Sequence, residues 1–153
     1  MDKKILTLLA VFIVAISMAS VCAAELTKEN DFDGLFKMKI AENDNFTNMS
    51  DGQDYSTFLQ SKMAYKNGDG SIFAFVYNDN VNQSIFYASH DKIQNFDTDG
   101  DLSIINATDD MSEELDGNVT VLAGKSNGDD SLTVFVGGTD ENLVKEYANT
   151  IEF

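Results

Sequence analysis

The residues best equipped for chemistry in this chain lie in the run Asp97-Thr98-Asp99-Gly100-Asp101. Carboxylates at alternate positions can wrap a hard cation in oxygen ligands, and calcium loops open this way. An EF-hand needs Gly at the sixth position and Glu at the twelfth, where this chain has Leu102 and Thr108. A non-EF loop could recruit Asp109 or Asp110 as a late carboxylate. Asp97, Asp99 and Asp101 are therefore candidate calcium ligands, in a run that also reads as a solvated acidic turn leading into a strand.

Ser89-His90-Asp91 contains the residue types of a hydrolase triad, but consecutive neighbours cannot reproduce the relay, whose members converge from separated segments. A distant Ser and Asp could join His90, and an envelope-associated hydrolase is the alternative this leaves open. No nucleophile elbow nominates them. The single cysteine, Cys22, lies in the N-terminal leader, so the remaining chain has no thiol nucleophile, no Cys/His zinc grouping and no disulfide framework. Gly137-Gly138 precedes a helix start, as in anion-binding turns, but Asp140 and Glu141 would repel a phosphate there. Chain reversal and helix docking explain the pair better, and the chain is not expected to be an enzyme.

Two further groups of residues invite a binding role. Sequons stand at Asn45, Asn48, Asn82, Asn106 and Asn118. In an exported chain Asn45, Asn48 and Asn82 are the candidate glycosylation sites, with Asn106 and Asn118 closer to strands. Phe73, Phe75, Tyr77, Phe86 and Tyr87 could line a groove for sugar or peptide. However, Phe73, Phe75 and Tyr77 share one face of a strand, as a core face requires.

The elements that must position these residues are mostly strands. Residues 25–31 are polar and read as a tail. Residues 35–40 alternate apolar and charged, a half-buried strand, and residues 43–54 read as a surface loop. Two apolar runs, 58–66 and 71–77, flank Asn67-Gly68-Asp69-Gly70, a hairpin signal because Asn-Gly tolerates positive φ. Residues 81–88 fit either a helix or a strand, and 102–106 a strand. A second hairpin, 119–123 with 132–136, surrounds Asn127-Gly128-Asp129-Asp130. Thr139 is placed to cap a helix with Asp140 and Glu141 in its first turn. Leu143, Val144, Tyr147, Ala148 and Ile151 then fall on one face at helical spacing. The expectation is an α+β domain: a mostly antiparallel sheet built from hairpins, with a C-terminal amphipathic helix packed on it.

The chain opens with Lys3 and Lys4, an apolar run from 5 to 18, and small residues from 19 to 24, the pattern of a signal peptide over residues 1–24. Val21 before Cys22 departs from the small residue of a lipidation signal. Cleavage, lipidation or retention as an anchor all remain open at this point. About 130 residues follow, a single-domain size, divided into the polar tail (25–31) and one domain (32–153). The 43% hydrophobic content supplies a core. A net charge of -16 repels nucleic acid and anionic lipid, and suits solubility outside the cell or a partner that carries cations.

The tail Tyr147-Ala148-Asn149-Thr150-Ile151-Glu152-Phe153, closing with Thr-Ile-x-Phe after an acidic helix start, resembles the end of small exported PsbP-like domains. The leader and Asn-rich composition resemble short secreted proteins of methanogenic archaea. That resemblance implies an antiparallel sheet flanked by helices and a non-catalytic accessory or binding role. The expectation is a secreted or cell-surface module without cofactor, unless calcium binds at residues 97–101. Its partner would be an envelope protein or glycan, and the mature chain is expected to have no transmembrane span.

Overall fold

A computed structural model describes residues 25–54, 56–78 and 96–153. The leader, and segment 79–95 with its expected element at 81–88, lie outside the described residues.

The centre of the molecule is legible in one strand. In β5 (Phe73–Asn78), Phe73, Phe75 and Tyr77 point to one face, Ala74 and Val76 to the other, and all five are buried. A strand buried on both faces belongs in the middle of a sheet covered on both sides. Among the described residues the sheet has seven strands, in the order β3 (Phe46–Asn48), β4 (Met63–Asn67), β5, β9 (Leu132–Gly138), β8 (Val121–Ser126), β7 (Leu102–Asn106) and β6 (Phe96–Asp99). Every neighbouring pair is antiparallel. Two sequential runs, β3 to β5 and β6 to β9, meet at β5 and β9, with Phe75 opposite Phe135 and Val76 opposite Val134.

The first face carries Met63, Tyr65, Ala74, Val76, Leu102, Ile104, Val121, Ala123, Val134 and Val136. Two regular elements cover it: the antiparallel ribbon of β1 (Leu26–Phe32) and β2 (Phe36–Ala41), and the C-terminal helix. Among the described residues the helices are, in chain order, α1 (Asp109–Glu113) and α2 (Glu141–Asn149). The ribbon contributes Phe32, Phe36, Met38 and Ile40, and α2 contributes Val144, Tyr147 and Ala148. Phe32 stacks on Phe36 at 4.4 Å, and Phe46 and Tyr65 meet the Phe32 ring edge-on. Lys37 N–H donates to the Glu152 carbonyl at 2.8 Å and Glu152 N–H returns a bond at 2.9 Å, tying the tail after α2 to β2.

Irregular chain covers the second face. Leu59, from the loop before β4, and Met111, Leu115 and Val119, from α1 and the segment after it, lie over Phe73, Phe75, Tyr77, Ile105, Leu122 and Phe135. Thr108 caps α1, its hydroxyl accepting from Met111 N–H. Leu59 is fully buried in the left-handed region (φ 49°), where a side chain is strained, and Gln60 follows it there at 54°. Two bonds hold Leu59 in place: its N–H donates to Glu114 Oε2, and its carbonyl accepts from the Tyr77 hydroxyl, both at 2.9 Å.

The turns before β5 and β9 repeat one design. Asn67 Oδ1 accepts from Ser71 and Ile72 N–H, and Asp69 Oδ1 accepts from both the N–H and the hydroxyl of Ser71. At the second turn Asp129 Oδ1 accepts from the N–H and the hydroxyl of Ser131, and Asn127 Oδ1 accepts from Leu132 N–H. Its fourth position holds Asp130 at φ 55°, where the first turn has Gly70 at φ 73°.

Several expectations need correction. Residues 26–31, read as part of a polar tail, form β1 together with Phe32. The loop expected at 43–54 contains the short strand β3. Asp97 and Asp99, expected in a loop, belong to β6, with Gly100 and Asp101 alone forming the turn. The strand expected at 132–136 runs on through Gly137 and Gly138, which are the last two residues of β9. A Cβ on Gly137 would press on Val119, Leu122 and Phe75, and one on Gly138 would lie 3.0 Å from the Ser71 carbonyl and Val144. The pair is therefore there for close approach. The cap of α2 is Asp140, not Thr139: its carboxylate accepts from Asn142 and Leu143 N–H. A carboxylate at this position satisfies two orphan donors and meets the positive end of the helix dipole.

Candidate functional site

A depression of about 630 Å³ lies where the open end of the ribbon meets the turn between β4 and β5. Asp44 builds it. Immediately after β2 the chain turns, with Asp44 N–H donating to the Ala41 carbonyl at 3.0 Å. The Asp44 carboxylate then accepts from Asn45 N–H at 2.8 Å, Gly68 N–H at 3.0 Å and Asn67 Nδ2 at 3.1 Å. Its main-chain carbonyl accepts from Lys28 Nζ at 3.0 Å. One residue thus fastens β1, the segment after β2 and the β4–β5 turn. Hydrogen bonds to a charged acceptor are the stronger kind, so the groove has a fixed shape.

Glu25, Glu42, Asp44 and Asp69 line this groove. The hydroxyl and N–H of Ser71 hold the Asp69 carboxyl below its ordinary range, so it stays ionised. Buried beneath is Tyr147, whose hydroxyl is pushed up to about 12 by burial and then by the negative charges of Asp44 and Asp69. Tyr147 therefore remains neutral at physiological pH. The carboxylates of Glu25 and Glu42 are exposed and make no ion pair among the described residues. The lining is spread out rather than convergent, and no group of three or more metal-ligating side chains occurs among the described residues. Such a groove suits a cationic side chain or segment better than a chelated ion.

Asp97, Asp99 and Asp101 are not drawn together into such a group. Asp97 Oδ1 accepts from Thr98 N–H at 2.9 Å. Asp99 faces α2, where its carboxylate pairs with Lys145 Nζ at 3.2 Å; Lys145 also pairs with Glu141 at 2.7 Å. These carboxylates, Glu141 first, raise the Lys145 ammonium above its ordinary range. Asp99 thus ties an edge strand to the helix over it.

The sequons sit in unlike places. Asn45 is exposed at the rim of the acidic groove. Asn48 is exposed on β3, but its side chain donates to Asp33 and accepts from Ser50 N–H. Asn106 is exposed at the end of β7, and the amide of Asn118 donates to the Leu115 carbonyl. Asn82, Ser89, His90, Asp91, Phe86 and Tyr87 lie outside the described residues. Phe73, Phe75 and Tyr77 are core: Phe73 and Phe75 stack at 6.1 Å, and Tyr77 meets Phe135 edge-on.

The sequence reading singled out none of Lys28, Glu42 or Asp44. An Asp just after a strand is a weak signal, and the Asp44 hub exists only once turns some 20 residues apart converge. Among the described residues no helix is long and apolar enough to cross a membrane. Set against protein-family models, curated proteins and solved structures, the chain matches none of them.

Proposed function

We propose that this chain acts outside the cytoplasm as a non-catalytic binding or cell-envelope accessory module, with the groove built around Asp44 as its binding face. The proposed architecture is a PsbP-like one, a sheet of hairpins under an amphipathic C-terminal helix. The partner is a cationic segment of an envelope protein. One observation carries this reading: the groove is pre-shaped by hydrogen bonds to Asp44 and leaves the exposed carboxylates of Glu25 and Glu42 unspent.

The calcium-dependent alternative at Asp97, Asp99 and Asp101 has less support, because Lys145 already neutralises Asp99. His90, on which the hydrolase alternative rests, lies outside the described residues.

Export is tested by mass spectrometry of protein recovered from the medium or cell surface. A chain starting near Glu25 is expected, and a full-length chain confined to the cytoplasm would overturn the reading. Binding is tested by titrating a lysine-rich peptide into the exported protein. Neutralising Glu25 and Glu42 to Gln should weaken it by about three- to tenfold, since two exposed pairs are lost. Neutralising Asp97 and Asp101 to Asn instead, equal in charge but on β6 and its turn at the far edge of the sheet, should change affinity much less. Equal losses from both variants would reduce the groove to part of a diffuse negative field.

A further inference from the structure

The open edge of β1 offers a second, directional element of recognition next to the groove. β1 pairs only with β2 among the described residues, and the two form their own two-stranded sheet. β2 is enclosed, since its other side is bonded to Glu152 and Thr150. In a strand paired on one side, alternate N–H and carbonyl groups point the other way, a ready template for another strand. The large sheet ends differently, in β3 and β6, of three and four residues. Beyond a register shift between Leu26 and Lys28, β1 keeps a regular ladder from Lys28 to Phe32. Lys28 turns its ammonium inward to the Asp44 carbonyl, so an added strand need not desolvate it.

The charges on this ribbon say what would fit. On the outer face Glu29 and Asp31 of β1 are exposed, and they stand opposite Lys39 and Lys37 of β2. Lys37 pairs with Glu29 at 2.8 Å. β2 thus shows the cross-strand pattern that β1 accepts: lysine at alternate positions, opposite its carboxylates. The other side of β1 has no such row. A second copy of this chain would bring carboxylates against carboxylates, in a protein of net charge -16.

We propose that β1 binds its partner by β-strand addition, the partner being an extended peptide segment with Lys or Arg at every second residue. This rests on the binding-module reading and deepens it. The added strand supplies the missing main-chain bonds along Lys28 to Phe32, its cations lie beside Glu29 and Asp31, and its end runs past Glu25 into the groove.

The test titrates an alternating Lys-Thr peptide into the exported protein, beside the same peptide N-methylated at alternate residues. Methylation keeps the charges and removes the donors along one edge. Binding is expected to fall by about tenfold or more when the methylated edge is the one that faces β1, since several main-chain hydrogen bonds go at once. Hydrogen exchange should show slowed amides within residues 28–32 when the unmodified peptide binds. Equal binding by both peptides, with protection confined to the groove, would overturn strand addition and leave the groove reading standing. No binding by either peptide would overturn both. A dimer with protected β1 amides in the absence of peptide would overturn the proposed partner, a second copy being the occupant instead.

Discussion

The two faces of the central sheet are buried equally well and covered by opposite means. Over the first face lie a paired ribbon and a helix, regular elements whose buried residues recur at period two or 3.6. Over the second lie a loop and a five-residue helix, which hold their place through single contacts such as Glu114 to Leu59. A cover of regular elements can lose one contact and keep its shape. A cover of irregular chain depends on each pin, and it stores strain at Leu59 and Gln60, both at positive φ.

The sharpest way to break this contrast is through the sheet side of the second face. Phe135 lies across Gly124 so closely that a Cβ there would enter its ring. Phe135→Ala should cost about 3–5 kcal/mol by urea denaturation. Gly124→Ala alone should cost about 1–3 kcal/mol through overpacking. The double variant should cost less than the two together, because the new methyl fills space the ring has left. Strict additivity would show that the ring does not lie there in solution.

The cover itself comes next. Glu114→Ala removes the acceptor of Leu59 N–H and should destabilise by about 1–3 kcal/mol. Its diagnostic effect is local. Amides 56–61 should exchange faster while those of β5 and β9 keep most of their protection, since such covers open as separate units. Asp140→Ala is the matching change on the first face, removing the cap of α2 at a cost of about 1 kcal/mol. There the opening of α2 should track the global unfolding. If both variants opened their covers to the same degree, the contrast between the faces would fail.

The smallest expected effect is a pH dependence at the twin turns. Ser71 and Ser131 hold Asp69 and Asp129 below the ordinary 3.8. A carboxyl depressed in the folded state adds stability that is complete above its unfolded pKa and vanishes as pH falls through its folded one. Acid melts should therefore steepen below about pH 4, and Ser71→Ala with Ser131→Ala should flatten that dependence.

How much was legible in the sequence follows the same division. β7, β9, both turns and most of α2 announce themselves by period or by turn residues, because each repeats one physical requirement over several positions. β1 did not: its inward positions are Leu26, Lys28 and Asn30 before Phe32, and a lysine that buries only its stem carries no apolar signal. α1 is too short for a helical period. β6 looked like a cation loop because an edge strand can expose alternate aspartates as readily as a turn can. The groove was the least legible feature, since Glu25, Glu42, Asp44 and Asp69 come together only when the ribbon meets the β4–β5 turn.

The pairing of β5 with β9 also has a consequence in time. By residue 78 the chain holds three strands that can already form a meander, with one flank of β5 waiting for a partner that starts at residue 132. Contacts this distant in sequence slow folding, and an unsatisfied strand flank is a hazard while it lasts. Folding of the described domain cannot finish until Glu152 reaches β2, so a nascent chain that has not yet delivered those residues stays unlocked and threadable. If the chain is exported as proposed, a fold that closes late is an asset, because it leaves the chain free to cross a membrane first.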